Sequence, residues 1–270
     1  MLSIYPKTFL TMEINENEIK LWHKNGRLCS HETYQGEKSD CKSWYENGKL
    51  EDQKSYQNGL LEGEFKSWYD NGQLREQSFY RNGELEGEKK AWSRTGHLYE
   101  QEFYKEGELQ GERKVWNENG RLYKREFYQD GDLKEERKFW ENGQIRVLKF
   151  YSGGRLNGNL KIWCENGQLY ESLFYRDGRP DGECRMWYKN GNPRIWKKYR
   201  QGSPNGEHRE WNENGTLWMH MFYRDQEIVD SNFTKRKAFL RAIRHFRQIK
   251  INLLNFTIIS DLGKIISQFQ

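Results

Sequence analysis

Gly63-Glu64-Phe65-Lys66-Ser67-Trp68-Tyr69-Asp70-Asn71-Gly72-Gln73-Leu74, followed after four residues by Phe79-Tyr80-Arg81-Asn82-Gly83-Glu84-Leu85-Glu86-Gly87, contains two Asn-Gly pairs between short aromatic-rich runs. Asn-Gly in that setting is the strongest short-range hairpin signal. The stretch therefore reads as two strands and two turns. Glycine at intervals of about ten residues rules out a helix. Register follows from the loop. A bare two-residue turn at Asn71-Gly72 sets Trp68 against Arg75. A three-residue loop with Gly72 left-handed sets Trp68 against Leu74, on the side of Tyr80. The second register puts the most regular large residues on one face and is adopted.

The unit repeats. Trp22, Trp44, Trp68, Trp92, Trp116, Trp140, Trp163, Trp187 and Trp211 are separated by 22, 24, 24, 24, 24, 23, 24 and 24 residues. A fixed period of this size signals stacked supersecondary units. Nine copies of two strands at about 4.8 Å spacing make a ribbon about 80 Å long, twisting by roughly 20° per strand. The expected fold is mainly β: an elongated, twisted, single-layer antiparallel meander of tandem hairpins with a C-terminal α-helical cap. Its repeat core is Trp68, Leu74, Tyr80, Trp92, Leu98, Tyr104, Trp116, Leu122 and Tyr128. The other face carries Phe79, Phe103, Phe127, Phe150, Phe174 and Phe222, with Val115, Phe139, Ile162 and Met186 nearby. The first five of these phenylalanines are the candidate protein-binding surface.

A basic residue stands two before each Trp: Lys20, Lys42, Lys66, Lys90, Lys114, Lys138, Lys161, Arg185 and Arg209. The adopted register sets it across from Asp52, Glu76, Glu100 and Glu171 in four units, as a solvated stripe with cross-strand ion pairs. Glu64, Glu88, Glu112, Glu183 and Glu207 recur after Gly and read as solubilising charge.

Taken together, Tyr80, Gly83, Leu85, Gly87, Glu88, Lys90, Trp92, Gly96 and Leu98 resemble the variant form of the MORN repeat, with Thr95 in place of Asn. The resemblance runs from about residue 15 to 226. It implies a single-layer sheet of hairpins and links to scaffolding and to phosphoinositide or membrane contact. Similar arrays occur in bacteria, often labelled antitoxins, and in large DNA viruses of amoebae.

Departures from the period locate irregular units. Two residues of the second turn are missing between Tyr34 and Trp44, and the loop after Trp140 is one residue short. Pro193 replaces the recurring Leu beside an extra Trp196, marking a kink, a notch or plain drift, with drift favoured. Pro180 and Pro204 fall in second turns.

Three regions follow: a capping strand (1–14, in which Ile4, Phe9 and Leu10 match half a repeat), nine repeats (15–226) and a basic tail (227–270). In the tail Phe239, Ala242, Ile243, Phe246, Ile249 and Leu253 recur at helical spacing. Lys235, Arg236, Lys237, Arg241, Arg244, Arg247 and Lys250 fill the rest of that helix. The chain has 270 residues and a net charge of +5; residues after Asp230 carry +7 of it, leaving −2 elsewhere. The helix is read first as a cap on the last hairpin, second as a contact for an anionic membrane, third for nucleic acid, since few aromatics interleave its cations.

Charged residues make up 31% of the chain, with a mean hydropathy of −1.15, and the 15% aromatic content argues against disorder. Cys29, Cys41, Cys164 and Cys184 form no zinc spacing, and reduced thiols are favoured over a Cys29–Cys41 pair. No signal peptide or membrane span is read, so the expected location is cytoplasmic, with a peripheral membrane role open. No catalytic motif, cofactor fingerprint or metal site is found. The expectation is a non-enzymatic scaffold that binds a protein through its sheet. The alternatives are a peripheral membrane module and an antitoxin-like inhibitor, and self-association through a sheet face or edge also stays open.

Overall fold

A computed structural model describes residues 9–224 and 226–233 of the chain. They form one antiparallel sheet of 24 strand segments, with no helix among the described residues. Each strand pairs with the next along the chain, giving a single-layer meander. In the unit quoted above, the first strand Gly63–Trp68 pairs with the second strand Leu74–Arg81. The second strand then pairs with the first strand of the next unit, Gly87–Trp92.

The three-residue loop is present. Trp68 pairs with Leu74, Gly72 has φ +88°, and the Tyr69 N–H donates to the Gln73 carbonyl. A β-bulge lies between the Ser67 and Trp68 pairings, with Arg75 as the extra residue. That bulge corrects the expected placement of the basic row. Lys66 sits across from Gln77, and Ser67 is the residue facing Glu76. Lys42, Lys90 and Lys161 likewise face Gln53, Gln101 and Ser172.

The second turn is a two-residue type I′ turn. Asn82 and Gly83 have φ +50° and +83°, and Arg81 pairs with Glu84 across them. Two extra residues then enter the returning strand: Tyr104 pairs with Leu109 but Gln101 with Lys114. This second bulge explains the irregular periods and corrects two expectations. Between Tyr34 and Trp44 the turn is intact, Gln35 pairs with Lys38, and the ladder runs on without any bulge. Near Trp140 the first loop has its full length, because Phe139 takes the Trp place, opposite Ile145, and Trp140 takes the place of Tyr69. The missing residue is one of the two in the bulge, since Tyr128 pairs with Leu133 and Phe127 with Glu135. The residue aligned with Lys66 in that unit is therefore Arg137, not Lys138.

Pro193 pairs with Trp187 as Leu74 does with Trp68, and the ladder continues on both sides of it. Pro180 and Pro204 lie in strands just after the turns, opposite Tyr175 and Tyr199. The opening strand Phe9–Asn15 pairs with Glu18–His23, as a strand at the end of the array should. The closing strand Glu227–Phe233 carries the sheet seven residues past Gln226, which holds a turn position at φ +72°. All seven belong to the stretch 227–270 expected to be a basic helical tail, and they are strand instead. The remainder of that tail, the basic helix included, lies outside the described residues, as does Ile4.

Adjacent units are stapled through their turns. The Asn71 side chain accepts from the Gln73 N–H and donates to the Arg94 carbonyl of the next turn. Asn25, Asn47, Asn142 and Asn190 do the same, reaching the next turn at 2.6–2.9 Å. Beside them the residue after the Trp position donates to the next Trp carbonyl: His23 to Trp44, Tyr45 to Trp68, Tyr69 to Trp92 and Tyr188 to Trp211. The ladder of turns breaks at Thr95, whose hydroxyl meets Ser93 and His97 within its own loop. Replacing Asn71 by Ala removes two hydrogen bonds and is expected to cost about 1 kcal/mol, while Thr95→Asn gains about as much. Thermal denaturation of the two variants beside the parent checks both signs.

Candidate interaction face

Strand alternation divides the side chains into two faces. Glu76, Ser78 and Tyr80 share one face with their partners Ser67, Phe65 and Gly63. Gln77 and Phe79 share the other with Lys66 and Glu64. They are called here the Tyr face and the Phe face. Val115, Ile162 and Met186 face Lys124, Glu171 and Ile195. That places them on the Tyr face, not beside the phenylalanines as expected from the sequence.

The Tyr face holds what core there is. Tyr80, Tyr104 and Tyr128 are half-buried there, next to its deepest residues, whereas Trp68, which follows Ser67 and stands two after Lys66 in an unbroken strand, falls by alternation on the Phe face, against the single shared face expected for Trp, Leu and Tyr. Four residues after the Leu position come Ser78, Glu102, Glu126, Leu173 and Met221, all buried. Their cross-strand neighbours make the middle of the array an ionic ladder. Arg113 bridges Glu100, Glu102 and Glu126, at 2.8 Å to Glu102 and 2.5 Å to Glu126. Lys124 also reaches Glu126, and Lys149 reaches Glu136. Burial opposes charge on Arg113, but its three carboxylates win and raise its pKa. Sequence reading missed this ladder. The signal was the alternation of acid, base and apolar residues at one place in the period, which the aromatic ruler drew attention away from.

Toward the carboxyl end the ladder gives way to Leu160, Leu173, Cys184 and Met186. Glu171 sits between Ile162 and Met186 there, and burial raises its pKa against the pull of Lys197. Burial likewise pushes the Cys184 thiol up to about 11, and the four cysteines form no disulfide. Among the described residues no group of three or more His, Cys, Asp or Glu is arranged to hold a metal.

The Phe face is organised differently, in stripes. One stripe is basic: Lys20, Lys42, Lys66, Lys90, Lys114, Arg137, Lys161, Arg185 and Arg209. Beside it runs an acidic stripe interleaved with Phe. Phe79, Phe103, Phe127, Phe150 and Phe222 face Glu64, Glu88, Glu112, Glu135 and Glu207, while Phe174 faces Asn159. In the strands that carry both, the two charged stripes neutralise each other. Lys66–Glu64, Lys90–Glu88, Lys114–Glu112 and Arg137–Glu135 lie at 2.8, 2.7, 2.9 and 2.5 Å. Gln77 and Gln101 add a donor to Glu64 and Glu88 from the neighbouring strand. At the first unit Lys20, then His31 and Asn15, bring Glu18 down to about 2. Lys66 and Lys114 lower Glu64 and Glu112 in the same way.

The candidate phenylalanines are thus brought into one row on one face. Phe79, Phe103 and Phe127 are 38%, 37% and 45% exposed. Phe150 and Phe174 are half-buried, and a Cβ at Gly158 would lie 3.1 Å from the Cβ of Phe150. Successive Phe residues are two strands apart, about 10 Å. The tail cations from Lys235 to Lys250 lie outside the described residues.

With the geometry in hand, comparison with known proteins is informative at one level. Residues 40–58, 61–82, 85–106, 109–130 and 204–225 match the family described as MORN repeat variant. Comparison with curated proteins finds no match. Among solved structures, one similar chain comes from "Crystal Structure of TcdB2-TccC3-Cdc42", at 9% identity and a TM-score of 0.18. The match covers 81% of this chain and 15% of that one, a likeness too slight to carry an argument.

Glu171 supplies a pH test of the Tyr face. Its raised pKa means that the fold disfavours the charged carboxylate, so the cost is present at neutral pH and absent once the group is protonated. Glu171→Gln is expected to raise Tm at pH 7, with the difference fading as pH falls to about 4. Calorimetric scans at the two pH values read it directly.

Proposed function

We propose that this chain, a carrier of tandem MORN-variant repeats, is a non-enzymatic scaffold that holds a protein partner against its Phe face. MORN repeats are in general modules for contact with proteins or membranes, and the repeat type is not catalytic. The observation that carries the reading is the row Phe79, Phe103 and Phe127, exposed at repeat spacing in a face whose charges already satisfy one another. Internally paired Lys and Glu gain little from a partner. Exposed aromatic rings gain by being covered, and aromatic residues are enriched where protein partners bind.

A double variant, Phe103→Ser with Phe127→Ser, tests this against Leu60→Ser, an exposed apolar residue away from the row. Proteins captured by the parent and by Leu60→Ser are expected to be lost from the double variant, whose circular dichroism stays that of the parent. Equal capture by all three rejects the reading.

The second reading rests on the charge of residues 234–270, with eight Lys or Arg against Asp261. About 1 kcal/mol per cation near an anionic surface is enough for seven of them to hold the chain at a membrane. The full chain is then expected to co-sediment with phosphatidylserine vesicles at low salt and to be released as salt rises. A chain ending at Phe233, where the last described strand closes, is expected to stay in the supernatant. Binding of both forms, or of neither, removes the tail from the explanation.

A further inference from the structure

The described sheet begins and ends on half a repeat. The opening strand Phe9–Asn15 stands where a unit has its second strand: Glu13 pairs with Lys20 as Gln53 pairs with Lys66. The closing strand Glu227–Phe233 stands where a unit has its first strand: Asp230 and Asn232 pair with Phe222 and His220 as Glu135 and Arg137 pair with Phe127 and Arg125. Among the described residues, neither strand has a neighbour on its outer side. Neither contains Lys or Pro, although each carries acid, Glu13 in one and Glu227 in the other, and each has one irregularity in its pairing. Met12 and Ile14 are 58% and 61% exposed, and Ile228 and Val229 are 40% and 54% exposed. An edge whose outer side is unpaired among the described residues and which exposes apolar side chains is a template for another strand.

We propose that the two half-repeats complete each other between copies: the closing strand of one chain pairs antiparallel with the opening strand of a second. The register is dictated by the repeat itself. Within a unit Glu64 pairs with Phe79, Phe65 with Ser78, Lys66 with Gln77 and Ser67 with Glu76. Carried to the two ends, it sets Asp230 opposite Asn15, Ser231 opposite Ile14, Asn232 opposite Glu13 and Phe233 opposite Met12. The junction reproduces the hairpin pairing already made nine times within the chain, so it needs no new kind of contact. It joins two different edges, so each copy added leaves one edge of each kind to extend from, giving head-to-tail chains. This inference is independent of the Phe face, which stays uncovered along such a chain.

Sedimentation velocity of the 270-residue chain from about 1 to 100 µM reads the association, and two edge variants read its polarity. Ile14→Lys places a charge on the opening edge and Val229→Lys on the closing edge, both at exposed positions. The parent is expected to grow in mass with concentration, and each variant alone is expected to stay a monomer with unchanged circular dichroism. Their equimolar mixture has one intact edge of each kind and is expected to stop at a dimer. A parent that stays monomeric throughout, a single variant that self-associates, or a mixture that remains monomeric overturns the proposal.

Discussion

The Asn-Gly turn is the constraint on which this array rests. A single-layer sheet has no second layer to fix the distance and rotation between hairpins, so those must be set within the sheet. The Asn side chain does both tasks with its two ends. Its oxygen accepts the N–H two residues on and holds its own loop. Its nitrogen reaches the backbone of the next loop, 23 residues away. The neighbouring Tyr, His or Trp adds a second link to the carbonyl at the next Trp position. The Asn of each linked unit thus specifies where the following unit stands, and only glycine at φ +88° beside it lets the chain return in the right register.

Charge plays the part that a hydrophobic interior plays in a layered fold. Three consecutive like-charged pairs face each other between the second strand Leu122–Gln129 and the next strand: Lys124 with Lys138, Arg125 with Arg137 and Glu126 with Glu136. Such pairs oppose strand association. Partners along the strand, directly across and on the diagonal offset them: Lys124 reaches Glu126, Lys138 and Lys149 reach Glu136, Arg125 reaches Glu112 and Arg137 reaches Glu135. The ladder is therefore satisfied as a network and not pair by pair. The phenylalanines, which share a face with Arg125, Arg137, Glu112 and Glu135, form no part of that balance themselves, which leaves their rings free for contact.

Much of the architecture could be read from Trp68, Asn71, Gly72 and Leu74, because turn chemistry fixes local register and repetition makes it global. The exposed Phe row was legible for the same reason. The position of the basic row was not, since Arg75 is squeezed out of the ladder and one extra residue moves Lys66 from Glu76 to Gln77. The ionic ladder was also hidden. Buried Glu102 and Glu126 look like surface residues until Arg113 is seen between them. Trp140 misled most directly, keeping the ruler while Phe139 held the structural place.

The second bulge has a further consequence, in the way such a gene can change. In an alternating sheet the gain or loss of one codon exchanges inside for outside along the rest of a strand. Here the units with two, one and no bulged residues all return to the same pairing before the next Trp position. The bulge is slack in the chain: it absorbs an odd or even change in length and delivers the following hairpin in phase. A lineage of such arrays can then drift in spacing while the faces it presents stay where they were.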